Sequence, residues 1–553
     1  MKLQKLVINN FRGLKGDKNV IDFSRSNIIF LIGQNNVGKS SFLRAYEFFV
    51  SSSQKASFSD FTDYDLSNPI IIEGIFLKEK DDDNELDFVG KGKSAEPDWV
   101  NKWVDENNLI RIKKIWTKKD EIAEKQTLSP KTGEWEKDGF GGLPTLFQKY
   151  SPTPIVISAM ETEASLEEKV NKLIQDEILK KLREDYPKEF NILVDGVKEL
   201  QKKILGSDVV STYNVDINEH FKKVFTDLTL KIDPKNDDNI KLEDSFKKNH
   251  SVSIKKDGVD RNEVFTQYGH GVIRQALYNF ISFLKKSKVG YKKEYLILFE
   301  EPELFLHPEI TFKLRKSLYD LAENSPFQIL CATHSPLMID ISKQHSSLVR
   351  VVKNLDETTE TYQVGDDVFR ADNEKKQKIQ MINRFNPHVC ESFYAKKVLI
   401  VEGDTEAVVF RDLIGRFFSQ YEIYVLNSGS KNNIPFFQEI FTAFNIEHCV
   451  IHDSDSRFNE NGKPNSAWRL NVSIWEKIVL ANQQKKGLAC RYVHVTNFET
   501  AHEIKLTGKD KPLIAYNYVI NLNQNSDVPC LNYLKDLLGE KSLNHDDIFI
   551  DSL

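Results

Sequence analysis

Disulfide chemistry is the first thing this sequence lacks. Its five cysteines (Cys331, Cys390, Cys449, Cys490 and Cys530) are scattered, with no C-x-x-C pair. That argues against a disulfide framework and a zinc knuckle, and fits a reducing, cytoplasmic setting. Long apolar runs are missing too: no stretch of about 18 apolar residues occurs, so no membrane span is expected. The start, Met1-Lys2-Leu3-Gln4-Lys5, has no apolar centre of the kind a signal peptide needs. Excess positive charge is absent, with a net charge of −6 over 553 residues. A nucleic-acid surface would have to be built from local Lys and Arg clusters, which a net charge does not reveal. No internal repeat is evident. What remains is enough chain for about three or four domains, with 40% hydrophobic residues to fill their cores.

Ile28-Ile29-Phe30-Leu31-Ile32 reads as a buried strand, a short apolar run that ends in a glycine loop. A helix is expected over 40–50. Between them, Gly33 to Ser40 matches G-x-x-x-x-G-K-S. Gly33 and Gly38 let the loop, with Asn35 and Asn36, turn backbone N–H groups toward phosphates. Lys39 would reach the β- and γ-phosphates of ATP, and Ser40, followed by Ser41, would ligate Mg²⁺. Residues 69–77 look like another strand, whereas 79–150 are polar and interrupted and suggest no element. Strand signals return at 295–299 and 327–332. The first closes on Leu296-Ile297-Leu298-Phe299-Glu300-Glu301-Pro302, four apolar residues and then an acidic pair at the strand's C-terminal edge. Glu300 would hold Mg²⁺ through water, and Glu301 would orient the attacking water. Region 164–245 is rich in Lys and Glu, with apolar residues at helical spacing (Leu166, Val170, Leu173, Ile174, then Val197, Leu200, Ile204). It reads as a helical insertion, either a dimerisation arm or an ordinary lid of surface helices. Polar residues 366–377 look like a linker.

Several of these pieces together resemble the ABC-type ATPases of the SMC and RecF kind. They are the phosphate loop, the acidic pair about 260 residues later, and Ala332-Thr333-His334-Ser335-Pro336 after the next strand. Leu6-Val7-Ile8-Asn9-Asn10-Phe11-Arg12-Gly13 is similar to the first strand of that group. The resemblance implies that His334 is the switch histidine. It also implies that Tyr268-Gly269-His270-Gly271-Val272-Ile273-Arg274-Gln275 is the signature loop, whose Gly269 and Gly271 would reach the partner subunit's ATP. That loop departs from the usual Ser-Gly-Gly core.

From 397 onward strands and helices alternate, with strands expected at 398–401, 423–426, 449–451 and 492–495, which suggests a mostly parallel sheet. Glu402 follows the first of these strands. Glu406, four residues on, shares its face if a helix begins there. Asp453 and Asp455 follow the strand ending at Ile451, and in an extended loop their side chains share a side. Such oxygen ligands suit Mg²⁺ or Mn²⁺. Val401-Glu402-Gly403-Asp404-Thr405-Glu406 with His452-Asp453-Ser454-Asp455 resembles the Toprim domain of topoisomerases, primases and nucleases. Glu499 and Glu503, one helical turn apart, offer a further metal ligand. Lys511 resembles a lysine that such nucleases place near the scissile phosphate.

The order of modules resembles the OLD family (overcoming lysogenisation defect), including the nuclease subunit of Gabija-type anti-phage systems. The fold expected is α/β: an ATPase in two parts (1–163 and 246–375) around the insertion (164–245), then a Toprim domain (390–553). The resemblance implies a Mg²⁺-dependent DNA endonuclease in phage or foreign-DNA defence, dimeric or tetrameric through its ATPase half; the sequence leaves open whether a helicase, another defence protein such as a reverse transcriptase with its RNA, or nothing accompanies it. Two rivals stand beside it. A Toprim topoisomerase needs a nucleophilic tyrosine in a DNA-gate domain, and no such extra domain is visible. An SMC-like scaffold that only governs DNA or partner binding leaves Glu402, Asp453 and Asp455 without a role.

Overall fold

A computed structural model describes residues 1–78, 101–140, 144–160, 165, 186, 188, 192, 196, 253–255, 262–264, 294–323, 327–343, 345–365, 387–459, 461–505 and 510–543. The expected helical insertion lies almost wholly outside these residues. So do the whole of the expected signature loop, with Gly269 and Gly271, and the linker at 366–377. The chain divides into two compact units, 1–159 with 287–553, and 160–286. Of the second unit, the described strands are β9 (Ser253–Lys255) and β10 (Asn262–Val264), an antiparallel pair.

The first unit opens with an antiparallel sheet of β1 (Lys2–Asn9), β2 (Asn19–Asp22), β4 (Ile70–Leu77), β5 (Leu109–Trp116), β6 (Glu124–Leu128) and β7 (Trp135–Lys137), in the order β2-β1-β4-β5-β6-β7. The last three strands lie where the sequence suggested no element. Strand β5 does alternate, burying Ile110, Ile112, Lys114 and Trp116. A lysine on the core face hides that pattern. Lys114 is accommodated because its Nζ donates to the Ser51 carbonyl at 2.7 Å.

A second sheet packs behind the first. It contains β3 (Ile28–Ile32), β8 (Thr153–Ile157), β11 (Tyr295–Glu300), β12 (Phe327–Ala332), β13 (Leu348–Lys353) and β14 (Thr359–Gln363), in the order β14-β13-β3-β12-β11-β8. All neighbours are parallel except β13 and β14. Strands β3 and β12 are buried along their whole length, as strands covered on both faces must be. Helix Lys39–Val50 crosses between the sheets and puts Phe42, Tyr46 and Phe49 into one core with Phe76 and Phe147. Gln328 stitches the sheets together: its side chain accepts from Leu3 N at 3.0 Å and donates to Leu3 O at 2.7 Å. Because β12 lies between β3 and β11, the three loops at their C-terminal ends are adjacent.

The C-terminal half is a four-stranded sheet, entirely parallel. Its strands are β15 (Lys397–Val401), β16 (Ile423–Asn427), β17 (Glu447–Asp453) and β18 (Ala489–His494), in the order β16-β15-β17-β18. Helices Asp404–Phe417, Ile434–Ala443, Ser466–Gln484, Lys511–Val519 and Pro529–Leu537 connect and follow the strands. Val401, Phe410, Ile451, Phe498 and Leu534 share its core. None of the five cysteines is in a disulfide. No helix among the described residues is long and apolar enough to cross a membrane.

Candidate active site

The phosphate loop turns sharply at both ends. Gly33 has φ +141°, and a Cβ there would lie 2.4 Å from the Val351 carbonyl oxygen. Gly38 has φ +97°, and a Cβ there would lie 2.7 Å from Leu14 Cδ2. Neither position admits a side chain, so the loop stays narrow and its backbone accessible. Asn35, Asn36 and Ser40 are exposed, and Asn36 itself has a left-handed φ of 61°. Lys39 Nζ donates to the carbonyls of Gly33 and Gln34, both at 2.7 Å. Burial brings the Lys39 ammonium down to about 8, against the pull of Glu301 and Glu303. These features fit a nucleotide's phosphates: backbone donors, a lysine and a hydroxyl, at a helix start.

The acids sit as their strand dictates. Glu300 ends β11 and accepts from Ala159 N at 3.3 Å. Glu301 has a left-handed φ of 45°, which turns it out of the strand direction, and its N–H donates to Ala332 O at 2.8 Å. Its Oε1 lies 3.4 Å from His334 Nε2. Burial and the neighbouring Lys39 lower the His334 pKa. Glu301 and His334 therefore do meet across β11 and β12. Glu303 was not singled out in the sequence, yet it organises the loop: its Oε1 accepts from Thr333 Oγ1 (2.7 Å), His334 N (3.0 Å) and Ser335 N (3.1 Å).

In the C-terminal half, Glu402 and Asp453 stand at the ends of the adjacent parallel strands β15 and β17, and Glu402 Oε2 accepts from Asp453 N at 3.3 Å. The helix begins at Asp404, not at Glu402. Glu406 is on its first turn, buried, and close enough to Asp453 to be felt electrostatically. Burial, then the neighbouring carboxylates, push Glu406 up to about 8. Burial likewise raises Glu402 and Asp453, each to about 7. A crowd of buried carboxylates raised together is the donor chemistry of a divalent-cation site. Asp453 Oδ1 is buried and lacks a hydrogen-bond partner, which fits the same ion.

Asp455 departs from the extended loop expected. Strand β17 runs on to Asp453, and Asp455 adopts φ 60°, breaking the alternation that would have aligned the two side chains. Its carboxylate turns instead to Lys431, 2.6 Å away. Lys431 is 3% exposed and also donates to Asp453 O at 2.5 Å. Glu499 is buried on the short helix Phe498–Ala501, with Lys511 Nζ 3.4 Å from its Oε1. Both influence Asp453. Glu503 falls past the helix end, exposed and at φ 55°, so it does not share a helical face with Glu499.

Residues 1–339 match the AAA ATPase domain, and 393–455 match the TOPRIM domain of overcoming lysogenization defect protein-like proteins. The chain belongs to the OLD family. It is similar to the Old nuclease of Escherichia phage P2, 22% identical over 474 residues, 82% of this chain and 77% of that one. It is also similar to Endonuclease GajA of Bacillus cereus (strain VD045), 26% identical over 473 residues, covering 82% and 73%. The OLD nuclease of Thermus scotoductus is 28% identical over 166 residues, 29% of this chain and 30% of that one. The expected order holds: an ATPase domain followed by a Toprim domain. The OLD-family TOPRIM match ends at Asp455, so His494, Glu499 and Lys511 lie beyond it. His494 and Lys431 were both missed in the sequence. The only signal for Lys431 was its place in Ser430-Lys431-Asn432, in the turn just after β16.

Proposed function

We propose that this chain is a DNA endonuclease whose Toprim site works with Mg²⁺ or Mn²⁺ under the control of its ATPase half, in defence against phage or other foreign DNA. The observation that carries the reading is the convergence of Glu402 and Asp453, at the ends of adjacent parallel strands, with Glu406 on the helix turn that follows, all raised to about 7 or 8. The relatives' names, Old nuclease and Endonuclease GajA, support it. We take 1–163 and 246–375 as the ATPase, 164–245 as its insertion and 390–553 as the Toprim domain.

Glu402, Glu406 and Asp453 would hold the divalent cation, with Asp455 and Glu499 at its margin. The cation would supply Lewis acidity and an activated water for phosphodiester hydrolysis. The rest is done by the chain. The Asp453 N–H fixes Glu402, and Lys431 fixes both Asp455 and the Asp453 carbonyl. Lys511, 54% exposed at its side chain, offers a cation to the backbone phosphate of DNA. In the ATPase half, Lys39 and the loop N–H groups bind phosphates, Ser40 and Glu300 serve Mg²⁺, and Glu301 orients the attacking water beside His334. Such ATPases act in pairs, so a homodimer or homotetramer through this half is proposed, with a helicase or other defence protein as a further partner.

A supercoiled-plasmid assay tests the reading. Nicked or linear DNA with Mg²⁺ or Mn²⁺, stopped by EDTA, is expected. Relaxed topoisomers would instead indicate a topoisomerase, and unchanged plasmid a scaffold.

A further inference from the structure

Strand β18 ends beside the carboxylates, and its last residue, His494, is the register partner of Asp453 on β17. Its Nδ1 lies 3.5 Å from Asp453 Oδ1. Ligand atoms of Glu406, Asp453 and His494 all lie within 4.8 Å of one another. The imidazole is 0% exposed. The rings of Phe498, His502 and Tyr533 pack around it, with centroids at 5.1, 5.3 and 5.4 Å. None of them gives it a hydrogen bond. Both His494 ring nitrogens lack a partner among the described residues, and so does Asp453 Oδ1.

Asp453 Oδ1 and His494 Nδ1, unsatisfied and facing one another at one buried spot, are destabilising unless something polar binds there. A proton shared between Asp453 and His494 does not account for them, because an O–H···N bond would bring the atoms to roughly 2.7 Å. A separation of 3.5 Å suits two ligands of one cation better: at about 2.1 Å from the ion, neighbouring ligands stand roughly 3 to 4 Å apart. The surrounding rings of Phe498, His502 and Tyr533 hold the imidazole in place.

We infer that His494 is a nitrogen ligand of the divalent cation held by Asp453 and Glu406. This rests on the Toprim reading and adds a ligand outside the matched TOPRIM region. Its consequence is selectivity. Imidazole binds Mn²⁺ and later transition ions readily, whereas Mg²⁺ prefers oxygen and keeps its waters. The site should therefore favour Mn²⁺ over Mg²⁺ by more than its carboxylates alone would.

The test is pulsed electron paramagnetic resonance of Mn²⁺ bound to the full-length protein. The parent is expected to show ¹⁴N coupling, converted to ¹⁵N coupling when histidine is ¹⁵N-labelled. His494→Gln should lose that coupling while still binding Mn²⁺, roughly 10-fold or more weakly, with a smaller change for Mg²⁺. The parent spectrum stands even if His494→Gln fails to fold. Bound Mn²⁺ without nitrogen coupling in the parent would overturn the inference and leave the Toprim reading intact. Coupling that persists in His494→Gln would also overturn it and point to His452 instead. Failure of the parent to bind Mn²⁺, together with an unchanged plasmid, would remove the Toprim reading itself.

Discussion

Gln34 of the phosphate loop donates from Nε2 to Glu422 Oε2 of the Toprim half at 2.8 Å, and Lys396 Nζ meets the same oxygen at 3.0 Å. Glu422 immediately precedes β16. At the far end of that strand, Asn427 Nδ2 donates to Asp404 Oδ1 at 2.7 Å, beside Glu402 and Glu406. The loop that would grip ATP is thus joined by bonds to the strand that frames the carboxylates. We expect ATP or a non-hydrolysable analogue to change the parent's initial nicking rate, measured at constant free Mg²⁺. Gln34→Ala should shrink that response by roughly twofold to threefold, the size an exposed polar contact can carry. An equal response in both proteins would show that the coupling runs elsewhere.

Lys39→Ala should abolish ATP turnover, by about 100-fold or more, because the phosphate charge is left uncompensated. Glu301→Gln should still bind ATP but hydrolyse it roughly 100-fold more slowly, since an amide cannot orient and polarise water as a carboxylate does. Equilibrium binding of a fluorescent ATP analogue, paired with phosphate release, separates the two. Equal loss of binding and turnover in Glu301→Gln would make Glu301 structural.

Asp453→Ala and Glu402→Ala should each remove nicking while leaving ATP hydrolysis in place, because the two sites share no residue. Lys431→Met should lower nicking between about 10- and 100-fold, the usual effect of losing a group that orients metal ligands. Asp455 would then lack its counter-ion and the Asp453 carbonyl its donor. Parental nicking by Lys431→Met, in protein of normal circular dichroism, would reduce Lys431 to a bystander.

The raised carboxylates predict a pH effect on stability. Glu402, Glu406 and Asp453 ionise near 7, 8 and 7 in the folded chain, and near 4 when unfolded. Between those values the folded state binds more protons, so stability falls as pH rises. In EDTA, Tm should drop between about pH 5 and pH 8, and Glu406→Gln should flatten the drop. Mg²⁺ or Mn²⁺ should raise Tm more at pH 8 than at pH 6. A cation shift independent of pH would contradict the carboxylate assignment.

What could be read from the sequence was whatever is contiguous. Gly33 to Ser40, Glu300-Glu301 and Glu402 to Glu406 announce themselves because a loop after a strand carries the whole pattern. The parallel Toprim strands were legible from their apolar runs. Lys431, Glu303 and His494 were not, because each acts through loops that only the sheet order brings together: Lys431 reaches Asp455 across 24 residues, and Glu303 reaches Thr333 across 30. Strand β5 was obscured by Lys114, a charge in a core position. The alignment expected for Asp453 and Asp455 failed on a single left-handed residue, a feature that residue type alone does not announce.

Arg350 on β13 is 7% exposed and has three backbone carbonyls as acceptors, those of Asn445 (2.7 Å), Phe444 (3.3 Å) and Ala395 (3.4 Å) in the Toprim half. Phe393 closes over the same place, stacked edge-on to Phe441 and Phe444. A buried guanidinium held by carbonyls is little screened by salt. Arg350 therefore joins the ATPase sheet to the Toprim half through bonds that do not depend on chain connectivity. The ATPase sheet and the Toprim sheet should melt in one transition even at high ionic strength, and Arg350→Ala should split that transition in two.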